Sequence, residues 1–212
     1  MTLVRTVSRP AADPEELAWE PVYDAFVKRL VALDVGASAP RIGDPFPDFS
    51  LPDPRGVHRS LGDLVSEGPL VLSFNRGGWC PYCSHELAAW GEEASVLKAA
   101  GGRLVVVSGE LGERASALKG MTGDDAVVLC DVDHGVALAS GLAFHLSADL
   151  NALYLKAGLD LATIYGSGGT FLPIPATFVI DQDRVIRYAF VDPDFRYRAS
   201  PHDVVRFLGA MG

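Results

Sequence analysis

The sequence holds only three cysteines, Cys80, Cys83 and Cys130, in 212 residues. That number is too small, and too odd, for the disulfide framework of a small secreted domain. No apolar run approaches the roughly 20 residues that span a bilayer, so no membrane segment is expected. Positive charge is also short. Eighteen Lys and Arg face 27 Asp and Glu, and the net charge of -9 argues against non-specific binding to nucleic acid or an anionic membrane surface. There is no internal repeat, no low-complexity tract and no glycine-rich nucleotide fingerprint; Gly77-Gly78 is too short for a phosphate loop. Met1 to Ala12 lacks an apolar stretch followed by a small-residue cleavage site, so no signal peptide is expected. What is present is ordinary globular material: 49% hydrophobic and 21% charged residues, enough to bury a core without staples. The expectation is a soluble cytoplasmic protein with free or reactive thiols.

Residues 1–35 read as an N-terminal helical extension and 36–212 as the main domain. Within the extension, residues 1–12 look like a mobile end. Trp19, Val22, Tyr23, Phe26, Val27, Leu30 and Val31 then recur at helical spacing. Asp13 and Glu16 suit a capping box around Pro14, and Pro21 predicts a break into two short helices. Residues 36–59 carry five prolines and read as extended chain with turns and a small hairpin. From residue 60 the pattern is α/β. Ser60 caps a short helix through Val65. Buried strands are expected over 69–75 and 103–108, joined by a helix over 80–100, and therefore parallel. A helix near 110–119, a short strand over 126–130, a helix capped by Asp133 and one over 148–157 follow. A hairpin of strands 176–181 and 184–191, and a last helix from Pro201, complete the chain.

The most informative stretch is Arg76-Gly77-Gly78-Trp79-Cys80-Pro81-Tyr82-Cys83. A strand ends, a glycine turn follows, and a helix starts. Two cysteines separated by two residues in a βαβ context form a redox signature. Peptide N–H groups and the helix dipole favour a thiolate at the first turn, which makes Cys80 the candidate nucleophile. Cys83 lies one turn on, within reach of Cys80, and is the candidate resolving thiol. Pro81 suits the first helical position, where no N–H is required. Arg76 adds positive charge, and Trp79 is placed to cover the thiol. Two other readings fit the pair: buried structural cysteines, and a zinc site drawing on Cys80, Cys83, His85 and Cys130. Further on, Pro175 precedes a strand where a redox α/β fold places a cis-proline beside its disulfide.

Gly43-Asp44, Phe49-Ser50-Leu51-Pro52-Asp53, the Arg-Gly-Gly-Trp-Cys-Pro-Tyr-Cys stretch and Leu172–Asp181 together resemble the AhpC/TSA redoxins, in the peroxiredoxin-like branch that carries Cys-x-x-Cys. Val191-Asp192-Pro193-Asp194 with Arg198 fits the same branch. The resemblance spans about residues 36–212. It implies a thioredoxin-like fold with peroxiredoxin-type additions, a central mixed β-sheet flanked by helices. It also implies that Cys80 holds the peroxidatic position and Cys83 the resolving position. Two features depart from peroxiredoxins proper. Gly77 stands where they carry a Thr or Ser, and Pro175 stands where they carry an Arg. Arg76 or Arg198 is expected to replace that arginine near Cys80.

The function expected is a thiol–disulfide oxidoreductase or peroxiredoxin-like antioxidant protein working through the Cys80–Cys83 dithiol. Its substrate is a disulfide or a hydroperoxide. Thioredoxin or a low-molecular-weight thiol restores the dithiol, and no cofactor or metal is required. A true hydroperoxide reductase and a non-enzymatic redox-sensing protein are the alternatives, and a homodimer is consistent with the resemblance. Several other residues carry expectations. Cys130 reads as a buried core residue, with a third redox thiol as the alternative, and Arg196 as an arginine near the site. Glu86 is either a proton shuttle for Cys83 or a surface carboxylate. Asp131 and Asp133 are expected as caps. The segment 165–170 reads as a mobile loop.

Overall fold

The computed structural model describes residues 5–7, 14–168 and 170–211, with side chains from Trp19 onward. The elements run in the order β1 (Arg5–Val7), α1 (Pro14–Ala32), β2 (Ser50–Pro52), β3 (His58–Ser60), α2 (Leu61–Ser66), β4 (Leu70–Asn75), α3 (Pro81–Ala99), β5 (Arg103–Ser108), α4 (Gly112–Thr122) and β6 (Val127–Cys130). A 3₁₀ turn (Val132–His134) then leads to α5 (Gly135–Ala139), β7 (Ala143–His145), α6 (Ala148–Lys156), α7 (Leu161–Tyr165), β8 (Phe171–Pro173), β9 (Ala176–Ile180), β10 (Ile186–Val191), β11 (Tyr197–Ala199) and α8 (Pro201–Gly209).

The central sheet has five strands in the order β10-β9-β4-β5-β6. β4, β5 and β6 are parallel, as the helical crossovers require, while β9 and β10 are antiparallel to their neighbours. Every residue of β4 and β9 is buried, which explains their unbroken apolar runs. Alternate side chains feed two cores. Leu70, Leu72, Phe74, Val105, Val107 and Phe178 point to one face, where Phe26 and Leu30 of α1 also pack. Val71, Leu104, Val106 and Val179 point to the other, against Leu87, Trp90 and Leu97 of α3 and Val204 and Leu208 of α8. The carboxyl ends of β4, β5 and β6 and the start of β9 share one edge of the sheet, the edge where an open α/β sheet presents its site.

Local chemistry sets the helix starts. Ser60 and Asp63 form the reciprocal capping box of α2. Ser200 caps α8 with Pro201 in its first turn. Before α5, by contrast, it is Asp131 and not Asp133 that accepts the N–H groups of Val136 and Ala137. Asp133 itself sits at φ +54° and caps no helix.

Two expectations for the N-terminal region are corrected. Residues 5–7 are not loose chain but a strand paired with β11. Pro21 does not divide α1, which runs as one helix through it. An interior proline costs about 3 kcal/mol. Burying Phe26 and Leu30 returns roughly 1.5–3 kcal/mol each, and Tyr23 adds its aromatic contacts, so packing wins. The Asp13–Glu16 capping box lies outside the described residues and side chains. Among the described residues no helix is long and apolar enough to cross a membrane.

Candidate active site

β4 delivers its last residue, Asn75, to the carboxyl edge, and the chain turns through Arg76–Trp79 into α3. Cys80 is the N-cap of that helix, in extended backbone, and Pro81 opens the first turn. The turn depends on Gly77. Its φ of +120° disfavours any side chain, and a Cβ there would fall 2.6 Å from the Glu110 carboxyl carbon. Glu110 follows β5 along the same edge. Its Oε2 accepts the Gly78 N–H at 3.0 Å, and the Ser84 hydroxyl donates to the Gly78 carbonyl at 3.0 Å. The loop carrying Cys80 is therefore pinned from two sides.

Both thiols are fully buried, and each faces its own arginine. Arg76 Nη2 lies 3.1 Å from Cys80 Sγ, and Arg198 Nη2 lies 3.4 Å from Cys83 Sγ. The two arginines, each 2% exposed, are held differently. Arg198 donates through Nε to Glu86 Oε2 at 2.6 Å, and through Nη1 to the carbonyls of Tyr197, at 2.9 Å, and Phe195. Glu86 is completed by the Ser73 hydroxyl at 3.2 Å, which accepts in turn from Asn75 Nδ2 at 2.8 Å. Arg76 has no carboxylate partner among the described residues, and its Nε and Nη1 make no hydrogen bond. The Phe195 ring lies 3.9 Å and the Trp79 ring 5.2 Å from its guanidinium carbon. A buried cation of this kind requires a counter-charge, and the Cys80 sulfur is the group in place to supply it.

The thiols consequently diverge. Burial alone would raise Cys80. The Cys83 thiol hydrogen bond and the charges of Arg76 and Arg198 outweigh it and hold Cys80 well below the ordinary thiol range. Cys83 is driven well above that range by burial and by the sulfur it bonds to. Glu86 is raised by burial against the pull of Arg198. Glu110 is raised by burial, with the Gly78 N–H and Arg114 opposing and Cys80 adding to the rise.

Aromatic side chains wall the site. Phe195 makes edge contacts with Tyr82 at 5.5 Å and with Tyr23 of α1 at 5.1 Å between centroids. Trp79 meets Tyr154 edge-on at 5.9 Å and donates its Nε1–H to the Tyr165 hydroxyl at 3.0 Å. That hydroxyl donates to the Arg76 carbonyl at 2.6 Å. Burial raises the phenols of Tyr23, Tyr154 and Tyr165, so they stay protonated. Arg196 fastens α1 alongside, bonding Glu20 and Asp24, each at 2.8 Å, as well as Asp194.

The structure thus gathers Arg76, Trp79, Cys80, Pro81, Cys83 and Arg198 in one place. Pro175 abuts the same edge, since β9 pairs Ala176 with Phe74, but its peptide bond is trans, against the cis expectation. Trans is the ordinary state of an X-Pro bond, and the anchoring of Pro173 in the β7–β8 ladder and of the Ile174 N–H on the Leu142 carbonyl leads the chain into β9 without the rarer cis form. Arg196 does not approach Cys80, because three carboxylates hold it elsewhere. Glu86 is not a surface carboxylate, and it meets Cys83 only through Arg198. Tyr165 does not belong to a loop; it ends α7 inside the site. Cys130 is core on the opposite face of the sheet, so the four-residue zinc set is not brought together. Sequence reasoning missed Glu110, Tyr23, Tyr154, Tyr165 and Phe195. None of them lies near Cys80 in sequence, and none has a local signal.

A model of the AhpC/TSA family matches residues 42–189. The chain is 28% identical over 147 residues to "Putative peroxiredoxin MT1643" of Mycobacterium tuberculosis, covering 69% of this chain and 82% of that protein. Among solved structures, Peroxidoxin BcpB from Mycobacterium tuberculosis superposes with a TM-score of 0.62 at 24% identity, covering 81% of this chain and 98% of that one. Reduced Prx3 from Vibrio vulnificus in complex with H2O2 superposes with a TM-score of 0.63 at 20% identity, covering 80% and 99%. With the five-stranded mixed sheet, the helix-capping thiol and a family match over most of its length, the chain belongs to the AhpC/TSA family of thiol-dependent oxidoreductases, on a thioredoxin-like fold.

Proposed function

We propose that the protein reduces disulfides or hydroperoxides through a Cys80–Cys83 dithiol cycle. The observation that carries this reading is the 3.1 Å contact between Cys80 Sγ and a buried guanidinium with no carboxylate of its own. Such a site favours the thiolate, the reactive form. With a disulfide, Cys80 attacks one sulfur and the other leaves as a thiolate. Cys83 then gives up its proton, attacks Cys80 Sγ and expels the second sulfur. With a hydroperoxide, a bond forms from Cys80 Sγ to the terminal oxygen as the O–O bond breaks, and the other oxygen leaves as alkoxide or hydroxide and takes a proton from solvent. The resulting sulfenic acid condenses with the Cys83 thiol and releases water. An external thiol, thioredoxin or a low-molecular-weight one, returns the two electrons. Arg76 supplies the cation expected near Cys80. Gly77 offers no hydroxyl to orient a peroxide, which favours the disulfide as substrate.

The test is stopped-flow oxidation of the reduced protein, followed by the fluorescence of Trp79 and its fellow tryptophans. Hydrogen peroxide and a protein disulfide are compared, with Cys80→Ser as control. Disulfide exchange at least tenfold faster than peroxide oxidation supports the preferred substrate. Rapid peroxide oxidation makes the protein a hydroperoxide reductase. Rates no faster than those of a free thiol in both arms overturn the enzymatic cycle.

A further inference from the structure

Resting on that cycle, we infer that Arg76 becomes a carboxylate-binding site when the dithiol is oxidised, and that it selects a reductant carrying a carboxylate. The argument is one of charge. In the reduced protein the buried group holds one thiolate, one thiol and the Arg76 cation. Oxidation by a disulfide converts Cys80-S⁻, Cys83-SH and RS–SR into the internal disulfide, RSH and RS⁻. Two electrons and the negative charge leave with the substrate, and Arg76 stays. Its neighbours offer no replacement. The phenols of Tyr23, Tyr154 and Tyr165 carry protons, and Glu86 is committed to Arg198 and Ser73. Glu110 is bonded to the Gly78 N–H, and no carboxylate among the described residues lies within ion-pair distance of Arg76.

The donors left over define the ligand. Nε and Nη1 lack hydrogen-bond partners in a buried arginine, and the further polar group against the guanidinium is the protonated, uncharged Tyr154 phenol. The thiolate occupies only Nη2. Once the sulfur is neutral, Nη2 joins a free neighbour on the guanidinium to make the two-donor fork that suits a carboxylate. A single uncompensated positive charge calls for a monoanion. Phe195 and Trp79 flank the position, so the anion enters a low-dielectric site where pairing is strong. Arg198 gains nothing comparable on oxidation, because its carboxylate is permanent.

The test uses the whole wild-type chain. The disulfide is formed with a small disulfide reagent and verified by mass as the loss of two hydrogens. Its reduction is then timed with 3-mercaptopropionate and with the corresponding uncharged amide, compared at equal thiolate concentration. The chain carries a net charge of -9, so long-range repulsion alone makes the anionic thiol the slower one. The expected result is the reverse: the carboxylate thiol at least tenfold faster, with acetate inhibiting competitively at constant ionic strength. Acetate should also raise the melting temperature of the oxidised protein and leave that of the reduced protein unchanged. This second arm separates free carboxylate binding from an effect of the tethered thiol. An uncharged thiol that is as fast, together with an oxidised form insensitive to acetate, overturns the inference and leaves the dithiol cycle standing. Failure to form the internal disulfide at all overturns both.

Discussion

Arg76 and Arg198 are two arginines of equal burial, each with a nitrogen on one thiol of the same Cys-x-x-Cys helix, yet they are balanced in opposite ways. Arg198 answers to Glu86, which chemistry at the site does not alter, and to two backbone carbonyls. Arg76 answers to a sulfur whose charge exists only in one redox state. The first arrangement holds structure in place. The second, on the proposed dithiol cycle, ties the electrostatics of the core to the reaction. The lesson is that exposure does not distinguish a structural arginine from a reactive one; the permanence of its counter-charge does.

The sharpest way to break the comparison is to give both cysteines the same substitution. Cys80→Ser removes the counter-charge of Arg76 and should destabilise the reduced protein by about 3–5 kcal/mol, the usual range for a broken buried pair. Cys83→Ser removes a neutral thiol from an arginine with other partners and should cost less than about 1 kcal/mol. Urea unfolding of the two variants checks this, and equal losses would dissolve the distinction. Next in size, Glu86→Gln keeps a hydrogen-bond acceptor for Arg198 but removes its charge. A loss of about 2 kcal/mol is expected. Cys83 should then titrate at lower pH, because the freed charge of Arg198 now favours its thiolate. Ultraviolet thiolate absorbance against pH reads this directly.

The smallest effect is the pH dependence of the wild type. The Cys80 value is lower folded than unfolded. Its stabilising contribution is therefore complete above the unfolded thiol value, near 8.5, and is lost as pH falls through the folded value. The same absorbance titration should show one thiol titrating well below the ordinary thiol range and the other well above it. Two thiols titrating together near 8.5 would contradict it.

Much of this architecture is legible in the sequence because it is local. The buried runs of β4 and β5 read as strands from composition alone. The glycine turn, the N-cap and Pro81 announce the start of α3 and the position of Cys80. What the sequence hides is set by distant contacts. The bond from Trp79 to Tyr165 joins residues 86 apart, and that from Arg198 to Glu86 joins residues 112 apart. Periodicity reports neighbours within a helical turn and is silent on such pairs. Hence Tyr165 reads as the edge of a glycine-rich loop, and Glu86 as either a proton shuttle or a surface carboxylate, until the fold brings them inward. Pro21 shows the same limit from the other side: it has a local preference against the helix interior that packing overrides. The cis bond expected at Pro175 rests instead on resemblance to a redox fold, and the bond keeps its ordinary trans state.

The aromatic wall has a kinetic consequence. Because Cys80 has no exposed surface, a reagent reaches it only from a conformation in which its surroundings, the aromatic wall included, have opened. The reactivity observed in solution is then the intrinsic rate multiplied by the open fraction. A substrate that itself prises the rings apart escapes that factor, whereas a small inert alkylating agent bears it in full. Reaction rates that saturate with reagent concentration would measure the opening itself, and the ion pairs of Arg196 with Glu20 and Asp24 make that opening faster in high salt.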